Sequence, residues 1–366
     1  MESAMPAKTR LCHMDLLKCL AIYFVLMFHG TLYPNWVLPD MPLSQLLRYF
    51  SRTILSTCVP LFFFVNGYLL MGRPLDLKKH TRKTLKLMAI TCFWILFLLV
   101  ILQGYYREPL DFSAMGQRIW DLKDGWNNQL WYMNVLMGIY LVFPLLKTTY
   151  DSNRPAFYWF TAVMAVLVFG SDCLDLGVTL FDLFVKKEFS LHYNNFPLFK
   201  HFTPFTHNAA LGLAYFCLGG TAASVEHRLA DIPSRLRTAG AAAGLVLCCA
   251  MLGVLGWRFS LYLNGLWDTV WNGYDTVFTL GNVLCLYLLS LGWKRDIPLV
   301  RLISANTLGI YLLHDLLHKQ LGPVAAGFDA MRTLPGTMLY TAVLLLLTLG
   351  VCLILKKLPL AKHLIS

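Results

Sequence analysis

Leu16–Tyr33 reads LLKCLAIYFVLMFHGTLY, an almost unbroken apolar run near the beginning of the chain. A helix that crosses the hydrocarbon core of a bilayer needs about 20 mostly apolar residues. Only Lys18, His29 and a few small or polar residues interrupt this run. A signal peptide would look similar, but no small-x-small cleavage site follows and many further apolar runs do. We therefore expect a retained first transmembrane helix.

Nine further apolar runs follow. They are Ile54–Met71, Leu85–Tyr105, Leu130–Leu146, Ala156–Gly170, Thr206–Val225, Ala239–Trp257, Trp271–Leu291, Leu302–Leu321 and Gly336–Leu355. The chain is 57% hydrophobic and only 14% charged, whereas ordinary soluble domains carry about 25% charged residues. Backbone groups in lipid must bond within the protein, and long runs without polar alternation favour helices over a barrel. The sequence thus predicts an all-α polytopic membrane protein with about ten transmembrane helices in a single domain, residues 1–366.

The net charge of +11 comes from 31 basic and 20 acidic residues. The basic residues lie between the apolar runs rather than in a soluble basic domain, which argues against nucleic acid as a partner. If the N-terminus is cytoplasmic, the inside segments carry a clear excess of Lys and Arg, while the outside segments carry both signs in balance. Positive charge collects on the cytoplasmic side of membrane proteins. We therefore predict a multi-pass protein of the cell (cytoplasmic) membrane with both termini in the cytoplasm.

Three ionisable residues of the first predicted helix are candidates for function, because charge inside a bilayer is costly. Lys18 and His29 are eleven residues apart, about three helical turns, so they share one face and lie about 16 Å apart along the axis. Asp15 precedes Lys18 by three residues and is expected to pair with it at the cytoplasmic end. In a purely structural alternative, Lys18 extends to the interface with Asp15, and His29 bonds a neighbouring helix. The spacing alone leaves both interpretations open.

Five motifs in order resemble the acyltransferase-3 family of integral membrane O-acyltransferases. The motifs are Asp15–His29 (DLLKCLAIYFVLMFH), Val59–Leu70 (VPLFFFVNGYLL), Arg82–Lys86 (RKTLK), Leu130–Leu146 (LWYMNVLMGIYLVFPLL) and Thr307–His314 (TLGIYLLH). The chain departs from the family pattern at two positions: Lys18 stands where the family usually has Arg, and Asn66 where it usually has Ser. The resemblance covers most of the chain, and no hydrolase-like extracellular domain is expected after the last helix.

The resemblance implies transfer of an acyl group, usually acetyl, from cytoplasmic acetyl-CoA or another acyl-CoA to a hydroxyl of an extracytoplasmic glycan or lipid-linked sugar. It implies that His29 is the catalytic base, with Asp15 in the same catalytic motif. The residues implied to hold the anionic donor are Lys18, Arg82, Lys83 and Lys86. A positioned imidazole that removes a hydroxyl proton accelerates a reaction about 10²–10⁴-fold, and cationic side chains suit phosphates. Positive-inside topology is the alternative explanation for the basic cluster.

Three further residues are predicted to contact the acceptor substrate: Trp131, Tyr311 and His314. An outer tryptophan is equally typical of an interfacial aromatic belt, and His314 is equally consistent with a satisfied buried histidine. His314 and His318 share a helix face, but no third ligand accompanies them, so we expect no metal site. Two long outer loops, Tyr106–Gln129 and Ser171–Phe205, are candidates for an acceptor platform or for part of the same belt.

Two other functions remain open. A transporter or polysaccharide exporter also uses intramembrane charges, but it should show inverted repeats with paired broken helices. Only the second predicted helix carries such an interruption, at Pro60 and Asn66-Gly67. A membrane sensor without catalysis is suggested only by Lys18 and Asn66. The partners we expect are acyl-CoA, the extracytoplasmic acceptor and membrane lipid, and a homo-oligomer is compatible with the sequence.

Overall fold

The computed structural model describes residues 10–30, 43–106, 128–187, 190, 192, 197–263, 265, 267–359 and 361–365. Within these residues the regular structure is entirely helical, as the sequence predicts. The longer helices, numbered in chain order, are α1 (Cys12–His29), α2 (Leu43–Arg52), α3 (Cys58–Met71), α4 (Leu77–Tyr106), α5 (Trp131–Ser152), α6 (Arg154–Phe181), α7 (His207–Ala230), α8 (Ser234–Tyr262), α9 (Val277–Ser290), α10 (Pro298–Ala305), α11 (Thr307–Ala326) and α12 (Leu334–Leu355). A short 3-10 helix, Thr53–Thr57, joins α2 to α3.

Six segments of the described chain are long and apolar enough to cross a membrane. They are Cys12–His29, Leu47–Met71, Arg154–Lys186, His207–Ala230, Ser234–Tyr262 and Leu334–Leu355. Each of the ten predicted apolar runs overlaps a helix, although ten membrane crossings remain a prediction. Large apolar side chains such as Leu145, Trp159 and Val246 are exposed, which suits helix faces in contact with lipid.

Helix α1 lies at the centre of the described bundle, where it packs against α3, α9, α10, α11 and α12. Met14, Leu17, Ala21 and Val25 of α1 are buried, and their spacing of three or four residues places them along one face. A helix surrounded by other helices can direct its ionisable side chains into protein rather than lipid. This position explains how α1 accommodates Lys18 and His29 together.

Helices α3 and α7 approach each other so closely that two positions admit only glycine. A Cβ atom at Gly67 would lie 1.8 Å from the carbonyl oxygen of Phe216, and one at Gly219 would lie 1.9 Å from that of Phe64. Small residues at such crossings let helix backbones pack directly against each other in membranes. Gly67 follows Asn66 in sequence, so the close packing also fixes the position of that polar residue.

The loop predicted to begin at Ser171 starts later in the structure, because α6 continues to Phe181. Ser171 and Asp175 interrupt the apolar sequence, and this polarity suggests a loop. Both side chains are buried, with exposed fractions of 1% and 3%, so they face the protein interior while the helix continues. The predicted loop Tyr106–Gln129 lies mostly outside the described residues.

The helix predicted to begin at Trp271 begins at Val277 instead. The intervening residues form turns, and the side chain of Thr276 accepts a hydrogen bond from the backbone N–H of Thr279. A threonine in this position satisfies one of the unpaired N–H groups at a helix N-terminus. Apolar content alone does not reveal such a boundary, because Trp271 and Tyr274 are apolar enough to continue the run.

Candidate active site

Helix α1 directs the ring of His29 toward α11. The Nδ1 atom of His29 lies 2.9 Å from Nε2 of His314, and the two rings stack with their centroids 5.0 Å apart. The side chain of His314 is fully buried, and its Nδ1 lies 2.6 Å from the backbone carbonyl oxygen of Tyr311. Two histidines that the sequence singles out separately therefore form one hydrogen-bonded unit, the histidine pair (His29 and His314).

Polar side chains of α11 and α12 lie near the histidine pair. Asp315 and Lys319 form an ion pair at 2.5 Å, and Nδ1 of His318 lies 2.8 Å from the hydroxyl oxygen of Tyr340. Asp315, His318 and Lys319 are close enough to interact electrostatically with His29. Polar side chains of α11 and α12 therefore surround the histidine pair.

Arg52 is a buried charge close to the same site, and the sequence does not single it out. Its guanidinium carbon lies 5.7 Å from the ring centre of Phe28, and the Phe28 ring lies 5.1 Å from that of His29. The guanidinium lies 3.6 Å from the carboxylate of Asp268, and Arg52 is only 2% exposed. This ion pair anchors the segment before α9 beside the end of α1. The only signal in the sequence is an arginine directly before an apolar run.

A cavity of about 410 Å³ lies between α1, α3, α4, α5 and α11. Three of the four residues predicted to hold the donor line it, Lys18, Lys83 and Lys86, and we call it the lysine cavity. Its other polar side chains are Asn66, Tyr132, Tyr140, Thr307 and Tyr311. The remaining wall is apolar, from side chains such as Phe62, Leu87 and Leu136. The cavity therefore combines positive charge with an apolar passage.

Lys83 is held against the cavity wall by Tyr140. Its Nζ lies 3.4 Å from the Tyr140 hydroxyl oxygen and 5.2 Å from the centre of the Tyr140 ring. Partial burial of the ammonium group, with the nearby charge of Arg73, lowers the pKa of Lys83. Lys83 precedes the predicted span Leu85–Tyr105. Arg82, the fourth residue predicted to hold the donor, is exposed on α4 and is not among the described residues that line the lysine cavity.

A proline in α5 explains how Tyr140 is held. Pro144 has no N–H group, so the carbonyl oxygen of Tyr140, four residues earlier, lacks its usual partner within the helix. The Nε2 atom of His80 lies 2.8 Å from that oxygen and supplies the missing donor. The His80 ring also contacts the Tyr140 and Phe143 rings, at 5.5 and 4.9 Å. His80 therefore couples α4 to α5 at the level of Lys83.

Asn66 supplies a polar group to the middle of the cavity wall. Its side-chain nitrogen donates to the carbonyl oxygen of Phe62, at 2.9 Å, and to the hydroxyl oxygen of Tyr132, at 3.2 Å. From the sequence, Asn66 stands out as a departure from the motif and as part of the interruption of the second predicted helix, but not as part of a site. A polar amide in an otherwise apolar helix was the available signal, because such a group is costly unless it is hydrogen-bonded.

Asp15 does not form the predicted ion pair with Lys18 among the described residues. Its carboxylate pairs with Arg10, at 2.6 Å, and accepts a hydrogen bond from the hydroxyl of Ser304. Ser304 lies in α10, so Asp15 ties the N-terminal end of α1 to that helix. Lys18 instead lines the lysine cavity. The spacing of three residues allows the predicted pair but does not exclude a better partner from another helix.

Tyr311 connects the lysine cavity with the histidine pair. Its side chain lines the cavity, its ring centroid lies 5.8 Å from that of His314, and its hydroxyl donates to the carbonyl oxygen of Gln129. His29 and His314 are not among the described residues that line the cavity. Tyr311 therefore stands between the cationic cavity and the proposed base.

Trp131 lies at the start of α5, in contact with two aromatic residues of the segment before α9. Its ring centroid is 5.9 Å from that of Trp271 and 6.1 Å from that of Tyr274. Trp271 is 46% exposed.

Within the described parts of the chain, no group of three or more His, Cys, Asp or Glu side chains is arranged to hold a metal ion.

A family model described as an acyltransferase domain matches residues 13–357, nearly the whole chain. The match includes all nine residues predicted to form the site, from Asp15 to His314. Comparison with curated proteins and comparison with solved structures gave no match.

Proposed function

Because the chain belongs to the acyltransferase-3 family over residues 13–357, we propose that it transfers an acyl group, typically acetyl, from acyl-CoA to a hydroxyl group. The acceptor is a glycan or lipid-linked sugar on the extracytoplasmic side of the cell membrane. The membrane assignment rests on the apolar helices together with the family. The observation that carries the proposal is that the histidine pair and the lysine cavity meet at one residue, Tyr311.

His29 acts as the general base in this proposal. Its imidazole takes the proton of the acceptor hydroxyl while the hydroxyl oxygen attacks the thioester carbonyl carbon. The carbon–sulfur bond then breaks, and the leaving CoA thiolate takes up the proton from the imidazolium. The inward orientation of His29 supports this role, since a base that faced lipid could not reach a polar substrate. Asp15 supports the reaction by holding the cytoplasmic end of α1 through Arg10 and Ser304.

The dimensions of α1 suit a CoA donor. Lys18 and His29 lie about 16 Å apart along the helix axis. The pantetheine arm of CoA runs through roughly thirteen bonds from phosphorus to sulfur, or about 16 Å when extended at about 1.2 Å per bond. Phosphates held by Lys18, Lys83 and Lys86 would therefore allow the thioester to reach the level of His29. The apolar wall between the two ends suits the arm itself.

The remaining predicted residues have secondary parts in the proposal. Arg82, exposed on α4, adds positive charge at the entrance on the cytoplasmic side and attracts the anionic donor. Tyr311 and Trp131 contact the acceptor from the outer side, Tyr311 at the junction and Trp131 as a stacking surface. Both termini are cytoplasmic in this arrangement. A transporter without covalent chemistry is not favoured, because the family is one of acyltransferases.

The experiment uses purified protein in proteoliposomes with acetyl-CoA labelled on the acetyl group and a panel of lipid-linked glycans. We expect label on at least one acceptor with wild-type protein and none with His29→Ala. His13→Ala is the matched control, because His13 lies on the same helix but contacts Glu226 instead of the histidine pair. Full turnover by His29→Ala would refute the catalytic assignment, and loss of activity in both variants would point to a general defect of α1.

A further inference from the structure

We infer that His314 is a positioning residue that holds His29 with its proton on Nδ1, so that Nε2 of His29 is the atom that accepts the substrate proton. This inference rests on the proposed function, because it assigns a specific atom to the general base. It also changes the prediction for His314. Both of its ring nitrogens are engaged within the protein, so it acts through His29 rather than on a substrate.

The direction of the hydrogen bonds follows from the backbone carbonyl of Tyr311. A carbonyl oxygen only accepts hydrogen bonds, so Nδ1 of His314, 2.6 Å away, carries a proton. In a neutral imidazole one nitrogen donates and the other accepts, so Nε2 of His314 is an acceptor. At 2.9 Å, Nδ1 of His29 must therefore be the donor. A neutral His29 that donates from Nδ1 has its lone pair on Nε2.

The surroundings support a neutral pair at rest. His314 is fully buried, and burial without a counter-charge disfavours an imidazolium. The charged groups facing the pair, Asp315 and Lys319, are bound to each other, and His318 is bound to Tyr340. These groups leave the hydrogen bond between the two histidines undisturbed.

The same hydrogen bond stabilises the state that forms during the reaction. When Nε2 of His29 takes a proton, the ring becomes an imidazolium that still donates from Nδ1 to His314. A hydrogen bond with a charged donor is about twice as strong as a neutral one. His314 thus has a role comparable to that of the orienting acidic residue in a catalytic triad, with a neutral acceptor in place of a carboxylate.

Tyr311 connects the tautomer of His29 with the lysine cavity. The carbonyl that sets the direction of the hydrogen bonds belongs to the residue whose side chain lines the lysine cavity. The Tyr311 hydroxyl is held in turn by the carbonyl of Gln129. The tautomer of the base and the end of the donor passage therefore depend on the position of one residue in α11.

The direct test is nitrogen-15 solid-state NMR of protein labelled at histidine and reconstituted in lipid, with the His29 signals identified by their loss in His29→Ala. We expect Nδ1 of His29 to be protonated and Nε2 unprotonated in wild-type protein. A proton on Nε2 of His29 would overturn the inference. The measurement needs no substrate, so its outcome is independent of whether acyl transfer itself is confirmed.

Kinetics provide a second test in the assay described above. We expect His314→Ala to lower kcat about 10- to 100-fold, by analogy with the loss of a residue that orients a metal-bound histidine, with the KM for acetyl-CoA unchanged. His314→Gln should recover much of the lost rate, because its side-chain oxygen can accept from His29 at the position of Nε2. The matched control is Gln320→Ala, which removes an exposed side chain from the same helix and should retain wild-type kcat.

Equal losses in His314→Ala and His314→Gln, with both proteins folded, would overturn the positioning role. If His314→Ala fails to fold, the glutamine variant and its NMR spectrum decide the question. A folded His314→Gln protein with His29 protonated on Nε2 and wild-type kcat would also contradict the inference, because the tautomer would then not matter for the rate.

Discussion

At the scale of single residues, the site depends on what surrounds each ionisable side chain of α1. The sequence predicts from their spacing that His29 and Lys18 share one face of α1, but it does not predict that His29 points into the protein. Its partner His314 lies 285 residues later, and no local pattern connects the two. Asp15 illustrates the same limit, since its partner Ser304 comes from a distant helix. Spacing along one helix predicts which residues share a face, but not which residues of other helices meet them.

The role of the lysine cavity can be tested by removing two of its charges. We expect Lys83→Gln combined with Lys86→Gln to raise the KM for acetyl-CoA about tenfold, or about 1.4 kcal/mol, because two ammonium groups would no longer bind the donor phosphates. The kcat should change little, since neither residue lies at the histidine pair. Michaelis constants from the label-transfer assay provide the measurement.

Lys78→Gln is the matched control, because Lys78 is an exposed residue on the same helix and lies outside the cavity wall.

The KM should also depend on pH. Burial lowers the pKa of Lys83, so its ammonium loses its proton at a lower pH than a free lysine does. Donor affinity should therefore begin to fall at a lower pH than it would for a lysine with an ordinary pKa, and this fall should be smaller in Lys83→Gln. If the double substitution leaves the KM for acetyl-CoA unchanged, Lys83 and Lys86 do not bind the donor and serve only to set the membrane topology.

At the scale of secondary-structure elements, apolar runs locate the helices well but their ends poorly. Helix α6 continues through Ser171 and Asp175 because those side chains are buried, and α9 begins only where Thr276 caps it. The proline at position 144 predicts an unpaired carbonyl in α5. The sequence does not show that His80 of α4 supplies the missing donor. The elements are therefore predictable, whereas the polar contacts that join them are not.

The contact between α4 and α5 predicts a specific coupling between two substitutions. His80→Leu leaves the Tyr140 carbonyl without a donor, which should lower the free energy of unfolding by about 1–3 kcal/mol. In a Pro144→Ala background the loss should be much smaller, because the backbone N–H of Ala at position 144 can bond that carbonyl within the helix. Melting temperatures of the wild type, the two single variants and the double variant in detergent measure the coupling. Equal losses in both backgrounds would show that His80 contributes only by packing.

At the scale of the whole molecule, the site depends on α1 being enclosed by other helices. Its contacts with α3, α9, α10, α11 and α12 come from segments spread over most of the chain. The five motifs predict the class of the protein, and the family match over residues 13–357 agrees with them. Periodicity does not predict that α11 brings Tyr311 between the lysine cavity and the histidine pair. That arrangement requires the packed bundle.

The central claim is that the donor enters the lysine cavity with its phosphates and reaches toward His29 past Tyr311. A structure of the protein in lipid nanodiscs with a ketone analogue of acetyl-CoA, in which carbon replaces the thioester sulfur, tests this claim most directly. We predict that the diphosphate lies among Lys18, Lys83 and Lys86, and that the analogue's carbonyl carbon lies about 6 Å from Nε2 of His29, so that one hydroxyl oxygen fits between them. An analogue bound outside the cavity, or with its acyl end directed away from Tyr311, would contradict the account.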